Sequence, residues 1–278
     1  MKIIWIADFG LHHSVGGAQR SDDIMIQKGR ELGHDITLLH WDSDRAILND
    51  TYDLLVSANL ETLSQDPAVF QYIISHPNHV RYEHDANSYL SATSRKLLFS
   101  STSKTLFLSS YHLDMFKQMY GCIWSNASIV FDPIDTTIFK NHGQKREDKT
   151  LYVGLLHYLK GSMKFAEHVL ATPHKQFVVA GWGNEPFESV IRKFDNIEFL
   201  RQVPYETMPQ LYNRYTSFYY YPLKFEPFCR SVAEAYLCGM QMDIGDNIGS
   251  AHEYVTMSQT EFSQRCLEAP TLFWDTIT

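Results

Sequence analysis

The stretch "FEPFCRSVAEAYLCG", Phe225 to Gly239, holds two carboxylates set for different tasks. Glu226 falls in a turn that contains Pro227, and Glu234 falls inside the following helix, which Gly239 closes. A helix start leaves backbone amides without intrahelical acceptors, and the helix dipole adds positive potential there. The amides of Phe228, Cys229 and Arg230 are therefore expected to face an anion. Glu226 can accept hydrogen bonds from hydroxyls beside that anion. Glu234 lies five residues beyond Cys229, more than one turn at about 3.6 residues per turn, and can meet another part of the same elongated ligand. Taken alone, the pair also fits a helix-start acid and a solvated helix residue. The surrounding elements decide between the two.

Those elements alternate. "KIIWIAD" reads as a buried strand and "GAQRSDDIMIQKGRELGH" as a helix ended by Gly33. "DITLLHW", "YDLLVSA", "VRYEHDAN" and "TLFLSS" continue the strands, and "SYHLDMFKQMYG" is helical. After "SIVFDPIDTTIF" comes "KNHGQKREDKT", Lys140 to Thr150, polar and without periodicity, which reads as a linker. The alternation then restarts: "LYVGLL", "KQFVVAGWG", "NIEFLRQV", "SFYYYP" and "QMDIGDN" as strands, with helices at "KGSMKFAEHVLAT", "PFESVIRKF", "YETMPQLYNRY" and "CRSVAEAYLCG". Strands separated by helical patterns imply βαβ units and mostly parallel sheets. The expected architecture is α/β: two Rossmann-like domains, residues 1–140 and 141–257, facing across a cleft. A helix over 258–278, "TEFSQRCLEAPTLFWDTIT" with Phe273 and Trp274 as anchors, is expected to return to the first domain.

Composition narrows the partners. Hydrophobic residues are 44% and charged residues 20% of 278, enough apolar surface for two cores. The formal charge of −8 argues against a general nucleic-acid binder, which needs a basic face. Cys122, Cys229, Cys238 and Cys266 form no CxxC pair and no zinc spacing, so they read as reduced thiols. The first residues are too short and strand-like for a signal peptide, and no run approaches the ~20 apolar residues of a membrane span. A cytoplasmic protein is expected, with peripheral membrane contact left open.

In a doubly wound sheet the ligand sits at the carboxyl ends of the strands. There the strand "SFYYYP", the turn of Glu226 and the helix of Glu234 suit a diphosphate flanked by two hydroxyl-rich rings, which is a nucleotide-sugar. "EPFCRSVAEAYLCG" resembles the E-x7-E segment of retaining glycosyltransferases of family 4, which have the GT-B fold. Three other stretches agree in order. "GGAQR", Gly16 to Arg20, is similar to the family's glycine-rich loop; "FDPIDTTIF" resembles its linker entry; "YVGLLHYLKG", Tyr152 to Gly161, resembles its donor-phosphate loop. The match spans nearly the whole chain.

The resemblance implies a sugar transferred from a UDP-, GDP- or ADP-sugar donor to a hydroxyl of a glycan, lipid or small-molecule acceptor, with retention at the anomeric carbon. It implies no required cofactor and no metal ligand. Glu234 would bind the donor ribose, and Glu226 with the amides of Phe228 and Cys229 would hold the transferred sugar. Lys160 would neutralise the leaving diphosphate beside Gly154 and Arg230. Gly16 and Gly17 would let backbone approach the donor from the other domain. His84 in "YEHDAN" matches the active-site histidine near the acceptor; a structural histidine is its plain alternative. In the family's front-face mechanism the leaving phosphate helps to remove the acceptor proton. Whether the chain is a monomer or a homodimer is left open, as are the donor base and the acceptor.

One position departs from the family. Arginine normally follows the strand glycine of the phosphate loop, and this chain has Leu155. Arg230, Lys224, Arg20 or His157 could replace that cation. The alternative function is therefore a GT-B protein that binds nucleotide-sugars, or serves as a scaffold, without turnover. "DFG" at Asp8–Gly10 lacks every other kinase element, "WDSD" at Trp41–Asp44 reads as loop acids, and "LHHS" with His12 and His13 sits by the glycine loop, where it could face the cleft or be a plain loop.

Overall fold

The structure is a computed structural model that describes residues 1–85, 89–121, 126–183 and 185–278. Cys122 lies outside the described residues. The chain divides into one unit of Met1–Pro133 with Arg265–Thr278 and a second of Ile134–Gln264.

The first unit runs β1 (Lys2–Ile6), α1 (Gly17–Glu31), β2 (Asp35–Leu39), β3 (Leu54–Ser57), α2 (Pro67–Ser75), β4 (His79–Tyr82), α3 (Ala92–Ser100), β5 (Lys104–Phe107), α4 (Ser110–Tyr120) and β6 (Ala127–Ile129). Its sheet has the order β2-β1-β3-β4-β5-β6, every pair parallel. Strands covered on both faces read as unbroken apolar runs, and "KIIWI" is buried from Ile3 onward. Gly33, at φ +85°, ends the first helical stretch.

Two helices of this unit are not signalled by apolar periodicity. α2 starts by turn chemistry instead: Asp66 accepts from the amides of Ala68 and Val69, and Pro67 takes the first helical position. α3 is largely polar, and Ser91 caps it by accepting from the Ser94 amide. The expected strand "VRYEHDAN" is shorter, ending at Tyr82, so Glu83 and His84 lie just past its carboxyl end.

The second unit runs β7 (Glu147–Val153), α5 (Ser162–Ala171), β8 (Phe177–Ala180), α6 (Phe187–Ile191), β9 (Ile197–Arg201), α7 (Met208–Arg214), β10 (Tyr215–Tyr220), α8 (Arg230–Leu237), β11 (Gln241–Ile244) and α9 (Gly249–Tyr254). The order is β11-β10-β7-β8-β9, again parallel. The expected linker over 140–150 is shorter than its composition suggests, because β7 begins at Glu147. The charges that mask this strand are paired across it: Glu147 with Arg214 at 2.7 Å and Lys149 with Glu198 at 2.9 Å. Arg146 before it donates to the carbonyls of Tyr212 and Tyr215.

The last helix, α10 (Gln259–Ile277), passes from the second unit into the first, where Phe273 and Trp274 are fully buried. Trp274 donates its indole N–H to the Met25 carbonyl at 2.8 Å. Gly29 on α1 makes room for that ring, since a β-carbon there would run into it. No helix among the described residues is long and apolar enough to cross a membrane.

Two buried histidines give the first unit an acid-side weakness. His79 lies between the hydroxyls of Ser57 and Ser101, and burial, aided by Arg81, pushes its pKa down to about 3. His112 accepts from the Leu108 amide, and burial pushes it down to about 4. Unfolded, both would titrate near the ordinary value of about 6.5. Between there and the folded values the unfolded chain binds protons that the folded chain does not, so stability falls as pH falls. The expected slope is about 1.4 kcal/mol per pH unit for each residue once its unfolded form is protonated. Urea midpoints from pH 7 to pH 4 should decline on that slope, and His112→Gln should flatten it by about half.

Candidate functional site

In the second sheet the order reverses between β7 and β10, so the crevice at the carboxyl ends of those strands is where an open α/β sheet takes its ligand. The loop after β7 and the loop after β10 meet there through close backbone contact. A β-carbon on Gly161, which sits at φ +79°, would collide with the Tyr221 carbonyl. The amides of Leu223 and Lys224 both donate to the Leu159 carbonyl, at 2.9 and 3.2 Å. Gly154 takes φ +143°, a conformation open in practice to glycine alone, and a β-carbon on Gly181 would strike its carbonyl. This packing brings two residues far apart in sequence face to face.

The Lys160 ammonium lies 2.6 Å from Glu226 Oε1, and the Tyr220 hydroxyl donates to the same oxygen at 3.3 Å. The Glu226 backbone is held at both ends: its amide donates to the Asn247 carbonyl and its carbonyl accepts from the Gly249 amide. Lys160 keeps 39% of its side chain exposed against 11% for Glu226, so the cation faces outward over a fixed carboxylate. Burial above all, with Cys229 and Glu226 adding to it, holds the Tyr220 phenol well above its usual range, so it stays a donor.

α8 starts at Arg230, preceded by Cys229 at φ +70°, ψ 86°. A non-glycine residue there stores about 1–3 kcal/mol of backbone strain, which clusters at ligand sites. The Cys229 thiol is pushed up to about 12 by burial and by Glu226, so it is no nucleophile at neutral pH. Cys229, Cys238 and Cys266 are free cysteines, in no disulfide.

Glu234 forms a second node. It accepts from the hydroxyls of Tyr205 at 3.0 Å and Tyr212 at 3.2 Å, and Arg230 stands 3.6 Å away one turn earlier. Arg230 also donates to the Tyr205 hydroxyl at 2.9 Å. All four side chains are largely withdrawn from solvent. The structure thus brings Lys160 to Glu226, and Arg230 to Glu234. Tyr205 and Tyr212 are absent from the residues read off the sequence. Their spacing of two helical turns on "YETMPQLYNRY" was the available signal. Of the cations that could stand in at Leu155, Arg230 is committed to Glu234 and Tyr205, and His157 uses its Nδ1 to accept from the Leu159 amide.

In the first unit Gly16 precedes α1 and Gly17 is its first residue. One turn on, Asp22 Oδ1 lies 3.0 Å from His84 Nε2, both side chains buried. Asp132 accepts from the Ser21 hydroxyl at 2.6 Å. Burial alone would lower the His84 pKa, but Asp22, with Asp132 and Glu83 behind it, raises it above the ordinary value. The acidic cluster around His84 therefore favours its protonated form. Asp22 and Asp132 were not among the residues read from the sequence as reactive, since their pairing with His84 depends on strand order.

No family model and no curated protein matches this chain. Solved structures do. HepE of Anabaena in complex with UDP superposes with a TM-score of 0.70 at 14% identity, covering 100% of this chain and 96% of that one. The catalytic domain of starch synthase IV from Arabidopsis thaliana, bound to ADP and acarbose, gives 0.65 at 11% identity, covering 99% and 98%. AviGT4, a glycosyltransferase of avilamycin A biosynthesis, gives 0.57 at 14% identity, covering 100% and 97%. The fold is GT-B. Two Rossmann-like domains with parallel sheets match these structures along nearly their whole lengths.

Proposed function

We propose that this protein is a retaining glycosyltransferase that moves a sugar from a nucleotide-sugar to an acceptor hydroxyl. The observation that carries this reading is the Lys160–Glu226 contact at the β7/β10 switch point, directly before the strained start of α8. A departing diphosphate needs charge stabilisation more than the reaction needs a strong nucleophile. On this reading the Lys160 ammonium turns from Glu226 to the phosphates, and the start of α8 adds its dipole. Glu226, released from Lys160, accepts from hydroxyls of the sugar. Glu234 takes the ribose hydroxyls in place of its tyrosine partners, and His84 serves the acceptor side. A UDP-sugar is the first donor to try, since HepE forms complexes with UDP and UDP-glucose.

Thermal-shift measurements with UDP-, GDP- and ADP-sugars test the reading directly. One class of donor is expected to raise the unfolding midpoint, by the equivalent of about 2.7 kcal/mol at a hundredfold excess over Kd. Glu234→Ala should abolish that rise, judged against its own midpoint without donor; a rise of unchanged size would remove the ribose role. Leu155 favours a second reading, binding without turnover, because one expected cation is missing. Nucleotide release separates the two: a donor that binds but yields no free nucleotide, with or without acceptors, defeats the enzyme reading.

A further inference from the structure

Two stretches left unused by this function converge beyond the carboxyl ends of β1 and β2. His12 and His13 from "LHHS" and Asp42 from "WDSD" each offer a ligand atom, and those atoms lie within 4.8 Å of one another. The Gly10 amide donates to His13 Nδ1 at 3.1 Å, so His13 Nε2 carries the ring proton and donates it to Asp42 Oδ2 at 3.0 Å; a metal ion would take the Nδ1 lone pair in place of the Gly10 amide.

His40 approaches the same group from below. Its ring centroid is 5.5 Å from that of His12 and 5.4 Å from that of His13. His40 Nδ1 donates to the Ala7 carbonyl at 2.9 Å, which leaves a lone pair on Nε2. That Nε2 is buried and has no hydrogen-bond partner among the described residues, in a residue only 6% exposed. Buried polar atoms are rarely left so. A β-carbon on Gly10 would stand 2.8 Å from His40 Nε2 and 3.0 Å from His12 Nδ1, so glycine keeps the space between these two nitrogens open. A carbonyl fixing one ring nitrogen while the other points into a cluster of donors is the usual support of a metal-binding imidazole.

We propose that His12, His13 and Asp42, with His40 as the fourth donor, bind a divalent transition-metal ion of the zinc, cobalt and nickel class. Imidazole donors favour these ions over magnesium, which prefers oxygen. Zinc bonds of about 2.0–2.1 Å place tetrahedral ligand atoms roughly 3.3 Å apart; His40 lies outside the 4.8 Å group of the other three, and exposed His12 and Asp42 can close the difference by rotation. Three neutral imidazoles and one carboxylate give the site one negative charge. Bound metal would tie the loop leading to Gly16 and Gly17 to the end of β2.

The test titrates cobalt(II) into the full chain without nucleotide, so its outcome is independent of donor binding. One equivalent is expected to produce the visible ligand-field spectrum of a low-coordinate site, displaced by zinc and untouched by magnesium. His12→Ala and Asp42→Ala should each weaken binding at least about tenfold without lowering the metal-free unfolding midpoint. His40→Gln should weaken it as well. The proposal is overturned if micromolar cobalt gives no such spectrum, or if the exposed-residue variants bind cobalt as well as the parent.

Discussion

Lys160→Ala is expected to slow nucleotide release from the donor by about 10²–10³-fold, with donor affinity falling much less. The negative charge on a leaving diphosphate grows as the glycosidic bond breaks, so a cation placed on it stabilises the transition state more than the ground state. Lys160 is a cation that the loop after β7 presents outward, and its present partner, Glu226, is fixed by Tyr220 and by backbone bonds at both ends. Leu155 sharpens the expectation, because no second cation follows Gly154 to share the load. The variant should fold normally: a half-exposed ion pair is worth about 0–1 kcal/mol, and the unfolding midpoint should move by roughly 2 °C. Steady-state release of nucleotide, with and without acceptor, measures the loss. A rate within about threefold of the parent would show that the phosphates sit elsewhere.

Glu83→Ala is expected to cost about 3–5 kcal/mol, a large share of the 5–15 kcal/mol typical of a folded domain. Arg81 and Glu83 form a two-pronged pair, Nε to Oε2 at 2.9 Å and a terminal nitrogen to Oε1 at 3.1 Å, with both side chains fully buried. The Asp85 amide donates to Glu83 Oε1 at 3.0 Å, and Arg81 also donates to the Ala58 carbonyl. Burial alone would drive the guanidinium towards neutrality; the charge of Glu83 overcomes it and raises the pKa. Without Glu83 a cation is left in the core at the end of β4, next to His84. Urea unfolding read at the first unit should therefore lose most of its midpoint. Replacing both partners, Arg81→Met with Glu83→Leu, should recover much of the loss, since no unpaired charge then remains. A single-variant loss below about 1 kcal/mol would mean that water reaches Arg81 in solution.

The sequence by itself determined the local elements that announce themselves over a few residues. Apolar runs such as "KIIWI" and "FVVA" are strands because a parallel sheet covered on both faces selects them. Gly33 and the helix after Pro227 follow from backbone chemistry that needs no distant partner. Where that chemistry is quiet, local reading fails: α3 is polar, and the start of β7 hides behind Glu147 and Lys149, whose charges are cancelled by Arg214 and Glu198 from other elements. Only the tertiary structure decided which side chains meet. Lys160 and Glu226 are 66 residues apart, and His84 and Asp22 are 62 apart. Both contacts arise from strand order, which places the ends of β7 and β10 side by side and brings the end of β4 onto α1. The same holds for Tyr205 and Tyr212 on Glu234, and for His40 beneath His12 and His13. A turn or a periodicity records energies between neighbours along the chain. These pairings depend on neighbours across it.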